Sequence, residues 1–291
     1  MSFEPSIILH IMGKDTLIVG SKKSKSLYWV DLANNNVVEY VPPHVKGKFE
    51  IINAAWYHDS TLYILNGNGK SILRKKGFPL PNAAEIIQNI DFSVIKSLPY
   101  RDGKIMLRIM ENNGPGCRLG IYDVASKNLV LDEWPKDKFN NDCLSTDGGV
   151  AFDGVSAFYY VNYYNSRVIR FNSSMSKIYE VQTIDKTKTL PAVRFDSANK
   201  SQNFFSPHRI INPFCAADTA ALYVLSAVSA DNDFASSFRN NTPIDIYAAQ
   251  TGAYRYSRHL SGININNVKD MKVAFNQLYL VTGKQINIYK P

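Results

Sequence analysis

Five histidines, His10, His44, His58, His208 and His259, are the side chains best suited to metal ligation or to proton transfer near neutral pH. They lie in five separate places, with no HxH, HxxxH or His–Cys spacing that would put two ligands on one turn or strand. The expectation is strand or turn histidines with local hydrogen bonds, and no cofactor. One divalent metal ion held by residues converging from distant segments, Asn53, Asp147 and His208 among them, is the alternative. In "SADNDFASS" (229–237), Asp231 and Asp233 alternate as calcium ligands do, but the Gly and terminal Glu of an EF-hand loop are missing. "NGNGKS" (66–71) resembles the end of a phosphate loop without its first Gly or a following helix, so it reads as a turn. No GxSxG elbow occurs, and no Ser, His and acid trio stands out. "FYYVNYYNSRVIRF" (158–171) interleaves aromatic rings with Arg167 and Arg170, as a platform for single-stranded nucleic acid does, although packed strands produce the same pattern.

The three cysteines, Cys117, Cys143 and Cys215, have no metal-finger spacing and admit at most one internal disulfide. Lys and Arg outnumber Asp and Glu by 33 to 25, a net charge of +8, so an anionic partner is compatible with the composition. The excess is scattered in short clusters (Lys22, Lys23 and Lys25; Arg74 to Lys76; Lys136 and Lys138) rather than gathered in one tract, which makes nucleic acid an unlikely partner. No apolar run approaches the roughly 20 residues of a membrane-spanning helix, and "MSFEPSIILHIMGKD" lacks the basic start and long apolar stretch of a secretion signal.

The elements that must position any site follow from repetition. "PIDIYAAQTGAYRYSRHLSG" (243–262) is an alternating run, a turn at Gln250-Thr251-Gly252 and a second alternating run. The pattern recurs in "SLYWVDLANNNVVEYVP", in "RLGIYDVASKNLVLDEWP" (118–135) and in "RVIRFNSSMSKIYEVQTI" (167–184). A second hairpin type, in six copies, has inner strands beginning near Leu17, Leu62, Ile105, Ala157, Leu222 and Leu278. Four antiparallel strands, A to D, then form each unit, at a period of roughly 45 to 65 residues that suits propeller blades. The fold expected is all-β, a single six-bladed β-propeller domain over 1–291 with blades at about 6–43, 50–91, 93–135, 146–184, 206–260 and 267–291. An ordinary twisted sandwich is the architectural alternative. Blade two is the weakest match, with a helical turn through "NAAEIIQN" as its alternative. The last blade is incomplete: it closes through residues before Ser6, through a segment outside this sequence, or as three strands.

In such a blade the A–B and C–D turns share one end, and the B–C and D–A connections share the other. The longest connections, 185–207 and 228–242, belong to the second end, where ordered loops usually serve function. Lys22, Lys23, His44, Lys70, Asn113, Tyr163, Asn165, Arg194, His208 and Arg239 fall there, as an electropositive funnel for an anionic or polar ligand.

"TIDKTKT", "SPHRIINPFCAADTAALYVLSAVSADND", "NNTPIDIYAAQTGAYRYSRHLSG" and "VKDMKVAFNQLYLVTGKQINIY" together resemble the six-bladed propeller proteins common in Bacteroidetes, well over the C-terminal half and in outline over the first blades. The resemblance implies an exported protein, often a lipoprotein, located in the periplasm or at the cell surface after loss of a signal segment that this sequence does not include. It carries no catalytic residues over. The function expected is a non-catalytic binding or scaffold propeller that presents its loop-rich face to a protein, peptide or glycan partner. The alternative is a metal-dependent hydrolase or lyase of the lactonase kind, with its site in the central channel.

Overall fold

The structure, a computed structural model, describes residues 5–21, 26–40, 52–58, 60–66, 71–77, 85–100, 103–110, 116–131, 142–196, 201–229 and 241–291. Its strands form antiparallel sheets that each run in chain order. Sheet one is β1 (Ile7–Met12), β2 (Thr16–Gly20), β3 (Leu27–Asp31) and β4 (Asn36–Tyr40); sheet two is β5 (Ile52–His58), β6 (Thr61–Asn66), β7 (Ser71–Lys76) and β8 (Glu85–Asn89). Sheet three is β9 (Ser93–Pro99), β10 (Lys104–Met110), β11 (Cys117–Asp123) and β12 (Asn128–Leu131); sheet four is β13 (Gly148–Phe152), β14 (Ala157–Asn162), β15 (Arg167–Asn172) and β16 (Lys177–Gln182). A two-stranded hairpin follows, β17 (Val193–Asp196) with β18 (Ser201–Phe204). Sheet five is β19 (Phe214–Ala217), β20 (Ala221–Leu225), β21 (Asn241–Ala248) and β22 (Tyr254–Ser261); sheet six is β23 (Val268–Ala274), β24 (Gln277–Thr282) and β25 (Gln285–Tyr289). The fold is a six-bladed β-propeller, and each sheet is a blade. Among the described residues no helix is long and apolar enough to cross a membrane.

Second strands explain why the repeat is readable. β14 and β20 are buried at every position, because a sheet packed on both faces leaves neither side of its inner strands to water. Outer strands touch solvent instead, and β12 and β16 alternate between exposed and half-buried positions. In sheet two, "EIIQN" is a strand and not a helical turn: Ile86 pairs with Leu73, and an ion pair joins Arg74 to Glu85 across the ladder. β-Branched residues favour that choice.

Two compact units make up the chain, residues 1–112, 120–130 and 269–291, and residues 113–119 and 131–268. In the first, sheet one is buried on both sides. Leu9, Ile18 and Leu27 pack with Ala55, Leu62, Ile64 and Leu73 of sheet two. From its other face Ile8, Leu17, Val19, Tyr28 and Val30 meet Tyr279 and Val281 of sheet six. Neighbouring residues Leu17 and Ile18 thus serve opposite interfaces, as the two-residue period requires. Sheet six has three strands among the described residues, and its link to sheet one is made by side chains. Asp270 Oδ2 accepts the Ile8 N–H at 2.7 Å, and the Tyr279 hydroxyl donates to the Lys14 carbonyl at 3.2 Å.

In the second unit Ala151, Tyr159, Val161 and Val168 of sheet four pack with Cys215, Ala217, Leu222, Val224 and Tyr247 of sheet five. First strands approach closely there: a Cβ on Gly149 would lie 2.8 Å from the Cys215 Sγ. At the end where C–D turns emerge, the hydroxyls of Tyr159 and Tyr179 both donate to the Ala249 carbonyl, at 3.2 and 2.9 Å. Gly252 of the "QTG" turn takes φ +71° and sits so near Val181 that a Cβ would fall 2.8 Å from its Cγ2. Residues 243–262 are therefore the outer hairpin of sheet five, as read from the sequence.

Candidate functional site

The second unit differs from the first in the connection between β16 and β19, residues 183–213. Both ends of its excursion return to one turn, Tyr163–Ser166. The Ser166 N–H donates to the Thr187 carbonyl at 2.7 Å, and the Ile211 N–H donates to the Tyr163 carbonyl at 2.7 Å. Residues 188–210 leave and re-enter at neighbouring points, as in a compact surface loop with closed ends.

That turn is fixed by amides. Asn162 ends β14, and its Oδ1 accepts from the N–H groups of Tyr164 and Asn165 at 2.7 and 3.0 Å, the Asx-turn geometry that short polar side chains favour. Its Nδ2 donates to the Ser145 carbonyl and to the Tyr160 hydroxyl, each at 3.0 Å. Asn165 Oδ1 accepts the Arg167 N–H at 3.0 Å. Asn212 Nδ2 donates to the carbonyls of Asn162 and Asn165, both at 3.0 Å, and so joins the return strand to the turn.

The hairpin β17–β18 lies within this excursion. Val193 pairs with Phe204 and Phe195 with Gln202, which assigns those four side chains to one face. That face is anchored: Gln202 Oε1 accepts from the N–H groups of Cys143 and Leu144 at 3.0 and 3.2 Å. Cys143 is itself tied to Cys117 at the start of β11 by a buried disulfide, while Cys215 is buried and takes no part in it. Phe204 stacks on His208 with centroids 3.7 Å apart, and both rings meet the buried Tyr164 ring edge-on, at 5.3 and 5.6 Å. The opposite face of the hairpin carries Arg194 and Asn203, with Phe205 next in alternation, and all three are exposed. Phe205 retains 75% of its accessible surface and Phe195 44%.

Of the ten residues placed in the expected funnel, Tyr163, Asn165, Arg194 and His208 fall in this cluster. Tyr163 and Asn165 contribute backbone and amide contacts to the turn, His208 covers Tyr164, and Arg194 projects from β17. Lys22, Lys23, His44, Lys70, Asn113 and Arg239 lie outside the described residues, as do Asp231 and Asp233. Phe195, Phe205, Arg209 and Gln202 escaped the sequence reading. The alternation in "VRFD" and "SQNF" on either side of "SANK" was the signal for their hairpin.

The residues of the metal alternative are placed in part. Asp147 Oδ1 accepts the Gly148 N–H at 2.9 Å, His208 is held between rings, and the side chain of Asn53 is outside the described part. Among the described residues no group of three or more His, Cys, Asp or Glu is gathered to hold a metal ion. "FYYVNYYNSRVIRF" takes its structural reading: Phe158, Tyr159 and Tyr160 are fully buried, and the Arg170 guanidinium lies 5.6 Å from the Tyr159 ring centroid and 3.8 Å from Asp153.

Other titratable groups owe their shifts to packing. Burial draws the His10 pKa down to about 4, so this imidazole on β1 is neutral in the folded chain at neutral pH. Asp245 of β21 is raised, first by burial, then lowered in part by the Ser257 hydroxyl, which donates to it at 2.5 Å, with Asp185 and His259 adding opposed charge effects. Tyr247, whose hydroxyl accepts the Ile184 N–H at 3.0 Å, is raised by burial.

No protein family model and no curated protein matches the sequence. Among solved structures the fold is similar to a member of the DUF4221 family from Bacteroides vulgatus, with 9% identity, TM-score 0.61, and coverage of 100% of this chain and 94% of that one. Virginiamycin B lyase from Staphylococcus aureus matches at 14% identity and TM-score 0.52, covering 100% of this chain and 85% of its own. Regucalcin, a calcium-binding protein from Agrobacterium tumefaciens, matches at 10% identity and TM-score 0.54, covering 96% and 82%. At these identities what is shared is the propeller fold, and the functions of such neighbours are mixed.

Proposed function

We propose that the chain is a non-catalytic, extracytoplasmic binding or scaffold propeller, and that the 183–213 connection of its second unit is the surface it offers to a protein, peptide or glycan partner. The observation that carries this reading is one of economy. Residues 90–92 suffice to join sheet two to sheet three, whereas the equivalent link between sheets four and five runs from 183 to 213 and carries a paired hairpin of its own. Ordered connections longer than the fold requires are usually functional. An extracytoplasmic location is supported by the Cys117–Cys143 disulfide, a bond that persists in oxidising compartments. Membership of the exported Bacteroidetes propellers, including the lipoproteins among them, rests on the sequence resemblance and on the Bacteroides neighbour in fold.

The test is photo-crosslinking in intact cells from a benzophenone amino acid at position 205, with the exposed turn position 155 as the control. A discrete adduct from 205 alone is the expected result; adducts from both positions, or from neither, would remove the assigned face. The metal-dependent hydrolase or lyase reading is kept because a lyase shares the fold. Elemental analysis of natively purified protein decides it: about one calcium or zinc per chain would move the proposal to that enzyme class.

A further inference from the structure

We propose that the outward face of the β17–β18 hairpin recognises an acidic polypeptide segment bearing aliphatic or aromatic side chains. This rests on the binding reading above and names the partner's chemistry. Three observations converge on it. Gln202 and Phe204 turn into the body of the unit, so the alternation of the strand directs Arg194, Asn203 and Phe205 outward from a fixed base. The Phe205 N–H donates to the Ala192 carbonyl at 2.8 Å, which keeps this ring in line with the hairpin beyond the last paired residue. Among the described residues the Arg194 guanidinium has neither an ion-pair nor a hydrogen-bond partner, and the Phe205 ring has no aromatic contact.

Charge supplies the complement. Residues 183–213 contain Lys186, Lys188, Arg194, Lys200 and Arg209 against Asp185 and Asp196. The Asp185 carboxylate is already engaged by the Thr183 hydroxyl and the Thr187 N–H. Arg209 is exposed next to His208, with one guanidinium nitrogen donating to the Ala227 carbonyl. Arginine and exposed phenylalanine in one patch are the residues over-represented at protein interfaces. A sugar surface asks for hydrogen-bonding edges beside its rings. Here the neighbouring amides of Asn162, Asn165 and Asn212 are bonded to backbone, which leaves Asn203 as the amide on this face, and the exposed ring beside it is Phe205, which has no polar edge.

An array of short peptides graded in net charge, each made with and without Leu and Phe, is the probe, with an oligogalacturonate and a single-stranded oligonucleotide as competitors. Acidic peptides containing Leu or Phe should be retained, and the signal should fall as salt rises. Arg194→Ala and Phe205→Ala should each weaken binding by about tenfold or more, as truncation of interface anchors does. Exposed on a hairpin held from its other face, neither substitution disturbs the fold, and an unchanged melting curve checks this. Retention without preference for acidic peptides, competition by either polyanion at equal or lower concentration, or indifference to both substitutions would overturn the inference. A 205-specific adduct in cells together with any of those outcomes would leave the binding surface standing and remove only the peptide assignment.

Discussion

Two regions of sheet four are made from the same strands and are finished in opposite ways. On the face turned to sheet five, Tyr159, Tyr179 and Val181 meet the C–D turn of that sheet around the Ala249 carbonyl and Gly252, with little space to spare. At the end where the B–C turn emerges, Asn162, Asn165 and Asn212 close a turn from which residues 188–210 depart and to which they return. The first region is interior packing between sheets. The second is a scaffold holding an appended structure whose own outer face stays exposed, so loss of that structure should cost the sheets little.

The largest effect expected is from excision. Replacing 188–210 with a short Gly-Ser link should abolish retention of acidic peptides and leave a cooperative melt, since Thr187 and Ile211 are already held beside one turn. Collapse of the melt would show that the two regions are not separable. Next is the disulfide. A Cys117→Ser, Cys143→Ser double variant should lose about 2–4 kcal/mol, and hydrogen exchange should rise first in β18, because Gln202 is bonded to the Cys143 and Leu144 amides. Uniform loosening of β14 instead would contradict a local tether. Gly149→Ala, which sets a methyl group against Cys215, should cost about 1–3 kcal/mol in chemical denaturation without affecting binding. Smallest is Phe205→Ser, expected within about 0.5 kcal/mol of the parent in stability. A larger loss would mean that the ring is part of the fold and not part of a docking face.

Most of the blade pattern was legible because buried second strands impose it. The inner-strand starts read at Leu17, Leu62 and Leu222 lie one residue inside the observed starts at Thr16, Thr61 and Ala221. β17 and β18 were missed since each has four residues, two polar in β17 and three in β18, and the apolar Phe195 remains in water. Closure by Asp270 on the Ile8 amide had no local signature at all: a carboxylate on a strand looks solvated until its distant partner is known. Sheet connectivity brought Tyr163, Asn165, Arg194 and His208 to one cluster, because the end at which a connection emerges depends only on strand order. The anchoring of that cluster depends on single long-range hydrogen bonds, which leave no periodicity to read.

The burial of Cys215 against Gly149 has a kinetic consequence. Three thiols allow three pairings, and only one of them is native. The wrong two both use Cys215, whose sulfur is sequestered once β13 and β19 lie side by side. Association of sheets four and five before an oxidant acts therefore removes both wrong pairings and leaves Cys117 and Cys143 to each other. Oxidation of the unfolded chain should instead yield a mixture that resolves only with a reshuffling catalyst.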